Sequence, residues 1–266
     1  MLCVVLIAGA VGLALNLFFK INRIEVTGST VYPDAALIEA SAIHTGDNLF
    51  FLNKTQAEGN ITADFPYVAQ VRLVRKLPGT LVLAVTEREA LGMIPYQDGY
   101  FLLDGAGTLL ERVSTPAAVS FPVVRGVSLL EPAPGQPVTP SETEADRLPS
   151  LLTLLTGLRR NDMLALVSEV DAARPHELTL KYGRFTVLLG TSADLDFKLA
   201  FLLSASQELA DSAQGTIDVS RAAAQNSVSF IPARESAPPV PGGTAAIPPA
   251  ETNSPAPEDE DETEDG

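Results

Sequence analysis

The chain contains no tryptophan, one cysteine and two histidines, and its 18 basic residues are outnumbered by 33 acidic ones. Each shortage excludes something. A lone Cys3 cannot form a disulfide within one chain, so any folded part is held by its core alone. His44 and His176 lie far apart and neither has a metal-ligand partner three or four residues away, so no metal site is expected. Binding along a phosphate backbone needs clustered Lys and Arg, which nothing here supplies, so no nucleic acid is expected as a partner. Nucleophile and base are not paired either. Ser204 and Ser206 fall in a helical pattern with no base nearby, and Asp194 and Asp196 sit where a helix N-terminus favours carboxylates anyway. Gly105-Ala106-Gly107 lacks the trailing glycine or Lys-Ser/Thr of a phosphate loop. The chain is therefore expected to be no enzyme, with no catalytic residue, no cofactor and no small-molecule substrate.

What is present begins with an apolar run, Leu2–Phe19, broken only by Asn16 and two glycines, Gly9 and Gly12. At 1.5 Å per helical residue it spans roughly 27 Å, close to the hydrocarbon thickness of a bilayer. A cleaved signal peptide would have a shorter apolar region, of about 7–15 residues, and a small-x-small site; Leu13-Ala14-Leu15-Asn16 is a poor one. A transmembrane anchor over residues 1–19 is the expectation. Lys20 and Arg23 follow it, whereas only Met1 precedes it, so for an exported chain further cytoplasmic residues are expected upstream. Cys3 inside the run is a small apolar residue of a span, with acylation as the alternative.

The opposite end is polar. From Arg221 to Gly266 nine acidic residues face two basic ones, and residues 237–257 are rich in Pro, Ala, Gly, Ser and Thr. Such a segment buries too little apolar area to offset its ordering entropy. Residues 233–266 are expected to form a disordered, self-repelling acidic tail.

Between these ends, residues 20–89 read strand, helix, helix, strand, strand. Ile24 and Val26 alternate up to Gly28-Ser29; Tyr32-Pro33-Asp34 opens a helix with Leu37 and Ile38 inward; Asn53 or Thr55 caps a second, with Ala57, Ile61 and Phe65 at four-residue spacing. Gly46-Asp47-Asn48-Leu49-Phe50 is a turn expected to drive both Leu49 and Phe50 into the core. Val71 and Leu73, then Leu81, Leu83 and Val85, mark two further strands around Lys76-Leu77-Pro78-Gly79. Thr86-Glu87-Arg88 closes the unit, with Glu87 and Arg88 expected as a solvated or paired strand end worth little energetically.

This β-α-α-β-β order behind a single span resembles a POTRA domain. Ile24-Glu25-Val26-Thr27-Gly28, Gly46-Asp47-Asn48-Leu49-Phe50, Pro66-Tyr67-Val68, Arg75 with Pro78, and Val85-Thr86-Glu87-Arg88-Glu89 together resemble the FtsQ/DivIB family of bacterial division proteins. The resemblance is close over the first third of the chain and looser beyond it.

Residues 90–232 form the second expected domain. Tyr100–Leu103 and Thr108–Leu110 flank a glycine turn as a hairpin, and Phe121–Gly126 resembles the family's exit strand. Leu148, Leu151, Leu152, Leu155 and Leu158 give a helical stripe. Strands follow at Val167–Asp171, Glu177–Lys181 and Phe185–Leu189, then a helix over Leu195–Leu209 capped by Asp194, then strands at Thr216–Val219 and Ser227–Ile231 around a loop. The fold class is α+β: a transmembrane helix, a POTRA-like domain, a mixed-sheet α/β domain with helices on one face, and the tail.

The resemblance implies that the folded part lies outside the cytoplasmic membrane at the division septum. It implies partners too: the FtsL-like and FtsB/DivIC-like single-span coiled-coil proteins, through which septal peptidoglycan synthesis is regulated. Strand addition is the physical route, and by position the family's partner contact falls on the last strand: Ser227, Val228, Ser229, Phe230 and Ile231, flanked by Thr216, Ile217, Asp218 and Val219. The alternatives are a POTRA-type export or assembly adaptor, and an anchored cell-wall enzyme with its site in residues 90–231. An export adaptor would bring several POTRA units or a barrel.

Overall fold

Alternation and turn chemistry produce two sheets. The computed structural model describes residues 18–115, 121–210 and 212–233, with isolated positions between residues 1 and 9. Most of the apolar run and all of residues 234–266 lie outside the described residues, as do the anchor and tail expected there. Among the described residues no helix is long and apolar enough to cross a membrane.

The first sheet has the order β1-β3-β2, from β1 (Arg23–Thr27), β2 (Val68–Lys76) and β3 (Thr80–Glu87). β1 runs parallel to β3 and β2 antiparallel to it. Helices α1 (Asp34–Ala40) and α2 (Lys54–Asp64) cover one face. Asn53 caps α2, its side chain accepting from Gln56 N–H, as the pattern predicts. Leu37, Leu49, Ala57, Ile61, Val71, Leu73, Leu81 and Leu83 form the core. Gly28 ends β1 with φ +81, and a Cβ there would lie 2.2 Å from the Val85 carbonyl oxygen, so only glycine fits.

One expectation for this unit is corrected. Leu49 is buried but Phe50 is 39% exposed. The two are the central residues of a turn closed by Phe51 N–H to Asn48 O at 3.2 Å, and the bond from Leu49 N–H to Phe19 O at 2.9 Å fixes that turn with only Leu49 in the core. Of the two readings of the strand end, the paired one is found: Glu87 and Arg88 are both partly exposed and hydrogen-bonded. Glu87 accepts four hydrogen bonds from the segment after β1: Ser29 Oγ at 2.9 Å, Thr30 N at 2.8 Å, Thr30 Oγ1 at 2.7 Å and Val31 N at 2.9 Å. Partial burial alone raises its pKa, but the hydrogen bonds of Thr30, Val31 and Ser29 outweigh that and hold it at about 2. A depressed carboxylate pKa contributes stability that is present in full above the ordinary value of 4.5 and is lost as the pH falls from there towards 2. Glu87→Gln is expected to flatten that limb of the stability curve. At neutral pH it is expected to cost about 1–3 kcal/mol, because the donors of the 29–31 segment lose a charged acceptor. Urea unfolding over a pH series reads both effects, and an unchanged acid limb sinks the assignment.

The second sheet has nine strands in the order β12-β11-β10-β9-β8-β7-β4-β5-β6. They are β4 (Ala90–Tyr96), β5 (Gly99–Asp104), β6 (Leu109–Val113), β7 (Val123–Arg125), β8 (Val167–Asp171), β9 (Leu178–Tyr182), β10 (Phe185–Gly190), β11 (Gly215–Asp218) and β12 (Ser229–Pro232). Parallel pairs occur at β4–β7, β7–β8 and β10–β11, so the sheet is mixed. Helices α3 (Arg147–Arg160) and α4 (Leu195–Glu208) bury their stripes in one core with Ile94, Val124, Val170, Leu180, Val187 and Ile217. On the other face Ala90, Met93, Leu102 and Leu110 form a smaller cluster that includes Tyr67 from the β2 approach. The sequence pattern predicts no strand at β4; both its faces are buried and it contains Gly92 and Pro95, so it shows neither alternation nor a clean apolar run. Asp194 stands at the N-cap position of α4, but with φ 52 and no side-chain cap bond. A capping side chain reaches the first turn from extended backbone, which this left-handed residue does not have.

The two sheets are joined by polar contacts at the start of β4. Arg88 N–H donates to Tyr67 O at 2.7 Å, and Tyr67 OH to Glu111 at 2.7 Å. Burial first, then the Glu111 hydrogen bond and charge, raise the Tyr67 pKa. Arg88 Nη1 donates to Asp104 Oδ2 at 2.8 Å and Thr108 Oγ1 at 3.1 Å, and Arg159 pairs with Glu89 at 2.7 Å.

Candidate partner-binding edge

β12 is the outer strand of the large sheet among the described residues. It pairs antiparallel with β11 in the register Gly215↔Pro232, Thr216↔Ile231, Ile217↔Phe230 and Asp218↔Ser229. Ala233 N–H donates to Gln214 O at 2.9 Å and continues that register. Hydrogen-bonded pairs alternate along an antiparallel ladder, so Ile231 and Ser229 bond inward to Thr216 and Asp218. The N–H and C=O of Phe230 then point away from β11, and so does the nitrogen of Pro232, which carries no hydrogen. The outer edge thus offers a donor and an acceptor at Phe230 and stops at Pro232. A terminal proline of this kind limits how far an added strand can extend.

Of the residues singled out in sequence, Ser229, Phe230 and Ile231 are on β12, and Thr216, Ile217 and Asp218 on β11. Ser227 and Val228 lead into β12, which starts two residues later than alternation suggests. Val219 lies one residue past β11 and donates its N–H to Leu188 O at 3.0 Å. Ile217 and Val219 are fully buried, so they support the edge from beneath and present no side chain outward. Ile231 is 58% exposed on the face opposite α4. The expected loop after β11 contains a short helix, α5 (Ala222–Gln225), whose Ala222 is buried; a run of three alanines with an Asn226 in the left-handed region closes one turn.

Beside the edge lies a groove of about 350 Å³ between α4 and β11–β12, walled by Phe201, Ala205, Leu209, Ile217, Val228 and Phe230 together with the polar Ser204 and Glu208 of α4. Val228 and Phe230 face α4, and the Phe230 ring meets Phe185 edge-on at 6.1 Å. Sequence reasoning missed the α4 wall. The signal was the surplus of apolar residues around that helix, more than one sheet-facing stripe needs; Phe197 and Leu203 stay exposed.

The residues weighed for chemistry are dispersed. Ser206 Oγ donates to Leu203 O at 2.8 Å, which is the ordinary fate of a helical serine. Asp196 pairs with Arg160 and Asn161, and the Arg160 hydrogen bond above all lowers its pKa. His44 Nδ1 stands 4.0 Å from Asp47 on the surface. Among the described residues no three His, Cys, Asp or Glu side chains are grouped to hold a metal. Lys198 is buried and donates to Leu189 O at 3.0 Å and Thr191 O at 2.8 Å, closing the end of β10; burial lowers its pKa.

Residues 19–88 match the family model described as POTRA domain, FtsQ-type. A cell division protein DivIB of Clostridium acetobutylicum is 32% identical over 205 residues, covering 76% of this chain and 80% of the relative. The DivIB of Clostridium botulinum strain Hall is 28% identical over the same share of this chain and 79% of its own. A cell division protein FtsQ of Corynebacterium glutamicum is 29% identical over 61% of this chain and 67% of the relative. The match to the clostridial proteins thus runs well past the β-α-α-β-β unit into the nine-stranded sheet, and the chain belongs to the DivIB/FtsQ family of cell division proteins.

Proposed function

We propose that this chain is a non-enzymatic scaffold of the bacterial division machinery, anchored by residues 2–19 with residues 20–233 on the extracytoplasmic side. Its partners are the short single-span coiled-coil proteins of FtsL-like and FtsB/DivIC-like type, and through them it helps regulate septal peptidoglycan synthesis. The boundary between its two folded domains falls at Glu89, where β3 gives way to β4. Family membership supports the division role, and the 18-residue apolar run supports the anchor.

The observation that carries the binding mode is the outer edge of β12. A free donor and acceptor at Phe230 stand beside a groove with aromatic and aliphatic walls and a polar side at Ser204 and Glu208, so an added strand gains ladder hydrogen bonds and a place for one large side chain. Main-chain pairing supplies affinity and the groove supplies selectivity. The test is co-purification of the detergent-extracted full chain beside a version ending at Gln225. The intact chain is expected to retain short coiled-coil membrane proteins that the truncated one loses. Retention by both removes β12 from the mechanism; export machinery or wall polymer in their place removes the division role.

A further inference from the structure

We infer that the end of the first sheet nearest the apolar run is seated on an anionic lipid surface, with Phe18, Phe50, Phe51 and Leu77 at the headgroup boundary. The inference rests on residues 2–19 spanning the membrane. The chain leaving that run is clamped to the 46–51 loop. Leu49 N–H donates to Phe19 O at 2.9 Å, Ile21 N–H to Asp47 O at 2.7 Å and Gly46 N–H to Ile21 O at 2.7 Å, with a bridge between Lys20 and Asn48. The Phe19 and Phe50 rings meet edge-on at 5.1 Å. Wherever Phe19 is held, this loop is held beside it.

The loop then shows apolar surface that its own fold does not require. Phe51 is 69% exposed and Phe18 is 73% exposed. The β2–β3 turn joins them, because Asn22 N–H donates to Gly79 O at 2.7 Å, and in that turn Leu77 is 60% exposed. A single exposed apolar residue needs no explanation, but four gathered at the exit of a membrane-length run do. Cations surround them. Arg75 lies over the Phe50 ring at 5.5 Å, and Lys20, Arg23 and Lys76 stand at the same end, where Glu25 answers two of them. Asp47 of the same loop is the other carboxylate there, so four cations against Glu25 and Asp47 leave the corner at +2 in a chain of net charge −15, which suits phosphate headgroups. Phe and Leu side chains beside Lys and Arg are a composition that settles at the headgroup–acyl boundary.

The absence of tryptophan makes a direct test available. The full chain carrying Phe51→Trp, Leu6→Trp or Leu166→Trp is reconstituted into vesicles of phosphatidylglycerol and phosphatidylcholine, with bromine placed at shallow or deep acyl positions. Phe51→Trp is expected to emit at shorter wavelength than Leu166→Trp and to be quenched most by shallow bromine; Leu166, exposed on the large sheet's side, should not be quenched at all. Leu6→Trp tests the span separately and is expected to respond to deep bromine. If Leu6→Trp is quenched and Phe51→Trp is not, the seating is wrong while the anchor stands. If neither is quenched, the anchor itself is wrong. Loss of the Phe51→Trp quenching in phosphatidylcholine alone assigns the headgroup charge its part; quenching undiminished there overturns the anionic component.

Discussion

Phe230→Pro is expected to weaken partner capture sharply while leaving the nine-stranded sheet assembled. The reason lies in the alternation of the β11–β12 ladder. The Phe230 N–H points outward, so its removal costs no bond to β11, whereas a proline at Ile231 would delete an inward donor and loosen β12 itself. Proline also discards the Phe230 ring, which packs against Phe185 and walls the groove, so Phe230→Ala is the necessary companion. Both variants lose the ring; only one loses the N–H. An added strand facing proline leaves its own acceptor without a donor, a cost of about 1–3 kcal/mol. The proline variant should therefore bind roughly 5- to 150-fold more weakly than the alanine variant. Titration of each detergent-solubilised full chain with purified coiled-coil partners reads the difference. Equal affinities would mean that the backbone edge is idle and that the groove alone, or another surface, carries the contact.

How far the sequence reveals this fold depends on the range of the interactions. The β-α-α-β-β unit is legible because its signals are local: alternation in Val71 and Leu73, the Asn53 cap, the four-residue spacing of Ala57 and Ile61. The edge position of β12 follows from a strand that ends at a proline. What stays hidden comes from elsewhere in the chain. The donors to Glu87 lie 56 to 58 residues before it, so its own neighbours leave open whether this strand end is solvated or paired. Phe50 reads as core because adjacent apolar residues in a turn give no sign of which one faces inward; the ribbon with Phe19 to Ile21, some 30 residues away, decides it. The α4 wall of the groove needs the packing of β11 and β12 to tell a buried stripe from a surplus one.

The Asp104–Arg88 contact gives the largest stability effect to expect. Asp104 is only 4% exposed, and its carboxylate has two tasks. Oδ1 accepts from Ala106 N–H at 2.9 Å and Thr108 N–H at 2.6 Å, which shapes the β5–β6 turn, and Oδ2 receives Arg88. The Arg88 Nε is buried with no hydrogen-bond partner among the described residues, so the guanidinium is secured through Nη1 to Asp104 and Thr108. Asp104→Ala strands a half-buried cation and two backbone donors together, and is expected to cost about 3–5 kcal/mol. Arg88→Met leaves Asp104 with its two turn donors and a shape-filling neighbour, so about 1–3 kcal/mol is expected. If the pair acts as one unit, the double variant costs less than the sum, since removing both partners leaves no charge unanswered. Urea unfolding of the four proteins closes the cycle. Additive costs would mean that Asp104 serves the turn alone. Coupling would mean that the residue following β3 locks the first sheet to the second, which fixes how far from the first sheet, and from any membrane it rests on, the β12 edge is held out.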